Sequence, residues 1–228
     1  MNRTIQKLLI HGIYTVVPDS YWVSYAAYLP KFQSWRKSHK GKNPIFHKKE
    51  DLYDFVNREI IQGKAMQYLE FGVYKGETIK YFSGINSDPG SKFVGFDSFS
   101  GLPEDWIEPS GSIKRKTFDT GGTIPETDDQ RISFVTGYFQ DSLPGFLKGY
   151  RTTNQLVMHI DCDLYSSTLF VLTTASPIIV RGTIIIFDEF YSVVHEFRAL
   201  DDYCSAYMRK YEVLAGTNGY GQVAIRML

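Results

Sequence analysis

The sequence predicts an α/β fold, a doubly wound and mostly parallel sheet, and three observations carry that expectation. From about residue 65 onward, short β-rich runs alternate with helix-compatible stretches, which is the pattern of βαβ units. The runs are almost continuously apolar, as suits strands covered by helices on both faces. The chain then ends on two strand-like segments around a glycine turn, which an antiparallel hairpin at the end of the sheet explains.

The elements follow in order. The first 49 residues are aromatic and then basic and read as an appended arm or helical cap, with residues 50–228 as the domain proper. EDLYDFVNREIIQ at 50–62 reads as a helix preceding the first strand. The five strand runs are AMQYLEFGV, KFVGFDSF, RISFVTGYF, QLVMHIDCDLY and GTIIIFDEF. KGETIKYFSG, DSLPGFLKG and SSTLFVLTTASPII supply crossover helices between them, and HEFRALDDYCSAYMRK at 195–210 supplies another. YEVLAG and QVAIRML form the closing hairpin, with its turn at Gly219 and Gly221. Residues 100 to 130, rich in Gly, Pro and Asp and without a period, read as a long loop in place of an ordinary crossover. Loops of that length in a compact domain are commonly lids or binding loops.

Composition narrows the class. The 228 residues suit one domain with an arm, 43% hydrophobic content is that of a globular protein, and no stretch approaches the roughly 20 apolar residues of a membrane span. The early run LLIHGIYTVV is interrupted by His11 and Gly12 and is not followed by a convincing cleavage site, so a secretion signal is not expected. Cys162 and Cys204 cannot build a disulfide framework, and a reducing cytoplasm is the expected location. Residues 1–49 hold nine Lys/Arg against the single acid Asp19, leaving 16 Lys/Arg and 24 Asp/Glu for the rest. Such asymmetry marks either a nucleic-acid or membrane-surface arm or a basic arm lying across an acidic domain. The acidic remainder would repel a phosphate backbone near a pocket, which argues against nucleic acid.

In an open parallel sheet, ligands bind beyond the carboxyl ends of the strands. Here those ends are acidic or glycine. LEFGVYKGET places Glu70 at the first strand end, then Gly72 and Gly76 in a turn into a helix, where the backbone can approach a ligand closely. Asp97 ends the second strand 27 residues later, where an acid accepts hydrogen bonds from ribose hydroxyls. The glycine spacing is not G-x-G-x-x-G, so adenosine without a pyrophosphate is the fitting ligand and a dehydrogenase is disfavoured. In QLVMHIDCDLY the apolar run stops before Asp161, and in GTIIIFDEF it stops before Asp188 and Glu189. Three carboxylates on adjacent strand ends need a cation or a shared proton, and Mg²⁺ bound through carboxylates and waters supplies the first. Asp163 reads instead as a helix cap, beside Ser166, Ser167 and Thr168 as N-cap candidates.

At these residues the chain resembles the class I S-adenosylmethionine-dependent methyltransferases, and more closely the macrocin (TylF-like) O-methyltransferase family. YLEFGVYKGET, FVGFDSFSGLPEDW, HIDCDLYSST and IIIFDEF match in that order over residues 65 to 228, FDSF-x-GLPEDW being the most specific. The resemblance implies a Rossmann-like sheet of seven strands and methyl transfer to an oxygen. It places the cofactor on Glu70, Gly72, Gly76, Asp97 with Ser98 beside it, and Asp161, with Gly137 and Tyr138 by the adenine. Its Mg²⁺ ligands fall on Asp161, Asp188 and Glu189, the last a Glu where the family pattern usually has Asp.

A small-molecule or glycan acceptor, a sugar or natural product, is implied as partner. Asp161 and His195 are the expected catalytic residues, His195 as a base that titrates near neutrality seven residues after Asp188. An exposed His at a helix start is the competing reading of His195, and a packed core histidine is the expectation for His159. Tyr14, Tyr21, Trp22, Tyr25 and Tyr28 of the arm would either stack on the acceptor or form a homo-oligomer interface. The rival function is a non-catalytic nucleotide- or S-adenosylmethionine-binding module, which has no need of the acidic strand ends.

Overall fold

A computed structural model describes residues 21–228. Tyr14 and the run LLIHGIYTVV lie outside the described residues. The elements run in the order α1 (Tyr21–His39), β1 (Ile45–Phe46), α2 (Lys49–Phe55, continuing as π-helical turns through Val56–Ile61), β2 (Met66–Phe71), α3 (Glu77–Ile85) and β3 (Lys92–Asp97). There follow β4 (Trp106–Glu108), β5 (Gly111–Ile113), β6 (Ile132–Thr136), α4 (Phe139–Gly149), β7 (Gln155–Ile160) and α5 (Tyr165–Thr174). The chain ends with β8 (Ile184–Phe187), α6 (Glu196–Ala206), β9 (Tyr211–Thr217) and β10 (Val223–Met227).

The main sheet has the order β1-β9-β10-β8-β7-β2-β3-β6. Strands β6, β3, β2, β7 and β8 are parallel throughout, and β10 is antiparallel to both β8 and β9. The five apolar runs and the closing hairpin therefore give the expected seven strands. The eighth, β1, comes from the segment read as arm: Pro44 accepts the Gly216 N–H, and Ile45 and Phe46 then pair parallel to the edge of β9. Two residues are too few to leave a period in the sequence.

Alternation along the strands sorts the core into two layers. Leu69, Phe71, Met158, Ile160, Ile185 and Phe187 face α1, α4, α5 and α6, while Tyr68, Phe93, Val157, Ile184 and Ile186 face α2 and α3. The arm helix α1 is seated in the first layer through Phe32, which is 4% exposed and packs edge-on to Phe190 and Phe197. Trp35 sits beside it, against Phe190 and Tyr220, with its indole N–H donated to the Tyr211 hydroxyl at 3.0 Å. Phe32→Ala is expected to cost about 3–5 kcal/mol, the usual range for emptying a buried aromatic site. Urea unfolding monitored at constant m-value checks this, and a loss below about 1 kcal/mol would mean that α1 is only loosely docked.

The segment from 100 to 130 is not a featureless loop. It contains the two-stranded antiparallel hairpin β4–β5, and the Ser100–Asp119 bridge closes its base. Strands of three residues cannot show a period, which is why the sequence reads as loop there. Among the described residues, no helix is long and apolar enough to cross a membrane.

Candidate active site

Strands β2, β3, β7 and β8 all end on one rim, and the turns that follow them line a single cavity of about 230 Å³. The turn after β2 is held by its neighbours. Gly72 donates its N–H to the Phe96 carbonyl, and Asp161 donates its own to the Phe71 carbonyl, both at 2.9 Å. Gly72 has φ +96°, and a Cβ placed on it would lie 1.8 Å from the Asp161 carbonyl oxygen. Only glycine fits there.

Asp97 fixes the same turn from the other side. Its Oδ2 accepts the N–H groups of Val73 and Tyr74, both at 2.8 Å, and its Oδ1 accepts that of Phe99 at 2.7 Å. Asp97 also lines the cavity and its Oδ1 accepts only the Phe99 N–H, so the expected ribose contact is compatible with this bracing role. Ser98 lines the cavity and donates its hydroxyl to the Gly101 carbonyl at 2.7 Å. Tyr138 lines it too, with Phe139 and Gln140. Gly137 stands just behind, at φ +125°, donating its N–H to the Asp97 carbonyl. Gly76 and Glu70 are not on the cavity wall: Gly76 starts α3, and Glu70 is buried beneath the rim.

The acidic residues converge, with one change from expectation. Carboxylate oxygens of Asp161, Asp163 and Glu189 lie within 4.8 Å of one another. Asp163 is not a helix cap. Residue Leu164 occupies the N-cap position of α5 without a side-chain bond, and Ser166, Ser167 and Thr168 fall inside the helix. A turn at Asp163, φ +58°, aims its carboxylate into the cavity. Burial, followed by the charges of Asp188, Glu189 and Asp163, pushes Asp161 well above the usual carboxylate range. Burial, then Asp188, Asp97 and Glu108, brings Asp163 up to about 7. Glu189 is raised by burial and by Asp188, Glu196 and Asp163, and its Oε2 is buried without a partner. Three crowded carboxylates with an orphaned acceptor are a donor set that a hard divalent cation satisfies.

Asp188 lines the cavity but is held from behind. Its Oδ1 accepts the Tyr53 hydroxyl at 2.8 Å, and Lys49 reaches its Oδ2 at 3.4 Å. His159, fully buried, stands between Glu70 at 3.6 Å and Asp188 at 3.7 Å, and the Tyr68 hydroxyl closes the chain on Glu70 at 2.7 Å. Burial works against the imidazolium, yet the two carboxylates raise His159 to about 10. For Asp188 burial works upward, and His159, Lys49 and Tyr53 outweigh it to leave the carboxyl at about 2. Lys49 balances one of these carboxylates and His159 the other. The expected packed histidine is thus a charge partner, and the buried acids beneath the cavity are neutralised without drawing on Asp161, Asp163 or Glu189.

His195 precedes α6 as expected, but both of its ring nitrogens are engaged. Its Nδ1 accepts the Tyr165 N–H at 3.1 Å, and its Nε2 donates to the Ile107 carbonyl at 2.8 Å. Neither nitrogen faces the cavity, whose wall does not include this residue. Sequence reasoning missed Asp163, Lys49, Tyr53 and Trp106. Asp163 stood in the quoted run and needed only the turn to be foreseen, whereas Lys49 and Tyr53 meet Asp188 across more than 130 positions with no local signal.

The chain is similar to known proteins over most of its length. The model of the macrocin-O-methyltransferase (TylF) family matches residues 41–212, beginning in the arm ahead of Lys49. A curated relative from Streptomyces olivaceus, described as 8-demethyl-8-(2,3-dimethoxy-alpha-L-rhamnosyl)-tetracenomycin-C 4'-O-methyltransferase, is 25% identical over 175 aligned positions covering 65% of this chain. The chain spans 64% of that relative's length. Among solved structures, the calicheamicin methyltransferase CalS11 superposes with a TM-score of 0.60 at 21% identity over 98% of this chain and 91% of its own. The O-methyltransferase NovP does so at 0.57 and 19% identity over 78% of each chain. At those identities the two structures show the fold, and the family match shows descent: the chain belongs to the TylF macrocin-O-methyltransferase family.

Proposed function

We propose that the protein transfers a methyl group from S-adenosylmethionine to a hydroxyl of a sugar-bearing small molecule or glycan, assisted by Mg²⁺. The observation that carries this reading is the meeting, in one cavity, of the Gly72 turn braced by Asp97 with the carboxylates of Asp161, Asp163 and Glu189. A binding module would need the first half of that arrangement and not the second. The curated relative's rhamnosyl acceptor supports a sugar hydroxyl as the target. Residues 50–228 would carry the transfer domain, with the arm before them as its cap.

The cofactor would bring a methyl sulfonium already electrophilic, and Mg²⁺ a Lewis acid that lowers the pKa of a neighbouring hydroxyl. The chain's own contribution is placement and proton transfer. Gly72, Asp97 and Ser98 would hold the cofactor's sugar end, with Tyr138 toward the adenine. Asp161 and Glu189 of the cluster would hold the ion together with Asp188, kept ionised by Lys49 and Tyr53, and Asp163, the third carboxylate of the cluster, would stand beside the ion as the proton acceptor. Placement of this kind supplies roughly 7–11 kcal/mol of a barrier. With both nitrogens of His195 occupied, the acceptor's proton passes to Asp163, a carboxyl raised into the range where a base works at neutral pH.

Titration calorimetry with S-adenosylmethionine tests the first half. The expected result is micromolar binding that is lost in Asp97→Ala while the wild-type and variant proteins melt within a few degrees of each other. Absence of binding in the wild-type protein, with or without Mg²⁺, would sink the methyltransferase reading.

A further inference from the structure

The hairpin β4–β5 covers the cavity with Trp106, and the chain around it adds Leu102, Pro103 and Phe118 to the wall. Three side-chain bonds fasten its near strand and Glu104 just before it, landing on the start of α5 and on the turn and N-cap that lead into α6. Ser166 donates to Glu104 at 2.6 Å, Ser192 donates to Glu108, and His195 donates to the Ile107 carbonyl. These helix starts follow directly on the turns bearing Asp161 and Asp163 and bearing Asp188 and Glu189. Of the three, His195 alone spans both sides: one nitrogen takes the first free N–H of α5 and the other grips the hairpin backbone. Its ring also lies edge-on to Trp106 at 6.4 Å and against Tyr21 of α1 at 6.5 Å. Hairpin, arm helix and both carboxylate turns therefore meet on this one imidazole.

We infer that His195 is a positioning residue, a latch that holds the β4–β5 hairpin closed over the cavity and thereby retains what is bound there. The two bonds fix its role by their polarity. Tyr165 offers a donor and Ile107 an acceptor, so the ring must be the neutral form carrying its hydrogen on Nε2. A group that accepts at one end and donates at the other would serve equally. Gln has the reach for the Ile107 carbonyl, whereas Asn presents an oxygen near the position of Nδ1 and falls short of the hairpin. The inference rests on the proposed function only for what the hairpin retains.

Hydrogen exchange on the full-length protein without ligand, followed by titration calorimetry with S-adenosylmethionine, tests it through His195→Asn and His195→Gln. In His195→Asn, exchange in residues 104–113 is expected to rise about five- to tenfold, the equivalent of one net hydrogen bond, with the sheet unchanged. The Kd for S-adenosylmethionine is expected to rise by a comparable factor, and His195→Gln to restore both to within about twofold. Unchanged hairpin exchange in His195→Asn overturns the latch. So does a rise spread over the whole sheet in both variants, which would make His195 a general structural residue. Because exchange is read without ligand, a wild-type protein that fails to bind S-adenosylmethionine would count against the proposed function and leave the latch decided separately.

Discussion

Asp163→Asn is expected to lower kcat about 10²–10⁴-fold, the span usual for removing a positioned base, while S-adenosylmethionine and Mg²⁺ bind within about threefold of wild type. Asn keeps the size and one acceptor oxygen but cannot take a proton, so the loss isolates the proton-transfer role. The sign of the pH dependence follows from the environment. Burial and the carboxylates of Asp188, Asp97 and Glu108 bring Asp163 to about 7, so the wild-type rate rises with pH as the carboxylate forms. A divalent ion seated on Asp161, Asp188 and Glu189 pulls that midpoint lower, which makes about 7 the upper bound of the rise. The rising limb should vanish in Asp163→Asn. Asp161→Asn serves as the contrast, since it should lose Mg²⁺ binding as well as turnover. If Asp163→Asn turns over within a few-fold of wild type, or loses the metal as completely as Asp161→Asn, Asp163 is not the base.

How much of this was legible depended on the range of the interaction. Strand ends could be read because an apolar run that stops at Ile160 or Phe187 leaves the next carboxylate on the rim, and Asp161, Asp188 and Glu189 do stand there. Asp97 was legible for the same reason, although its three backbone bonds to the neighbouring turns could not be foreseen. Asp163 was misread because period-two alternation holds only while a strand continues, and a residue at φ +58° breaks it. His195 was read as a base on type and spacing, which give no information on whether its nitrogens are free, and both are engaged. Its partners, Tyr165 and Ile107, lie 30 and 88 positions away. The charge balance beneath the cavity was illegible for a further reason. Lys49 was counted as one more member of a basic arm, and only the docking of α2 on the sheet beside β1 and β9 brings it and Tyr53 to Asp188.

Gly72→Ala is expected to be the most damaging single-atom addition at the rim, costing roughly 3–5 kcal/mol of stability and abolishing S-adenosylmethionine binding. At φ +96° an alanine is strained before any contact is considered. Its methyl would then lie 1.8 Å from the Asp161 carbonyl oxygen and 2.8 Å from the carbonyl carbon. Both are backbone atoms, so no rotamer change relieves the overlap. Nor can the two turns simply part, because Gly72 is bonded to Phe96 and Asp161 to Phe71, each at 2.9 Å along the sheet. Any relief must open β2 from β7 at its end, which moves the Asp161 carboxylate away from Asp163 and Glu189. Gly76→Ala provides the measure of strain without that collision. It too has positive φ, but its nearest neighbour is the Pro125 side chain at 3.0 Å, on a loop that can yield, so about 1–2 kcal/mol is expected. Urea unfolding of both variants at a common m-value, followed by calorimetry with S-adenosylmethionine, separates the two costs. A Gly72→Ala protein as stable as Gly76→Ala and still binding the cofactor would mean that the β2 and β7 turns have room between them, and that the acidic cluster does not depend on their close approach.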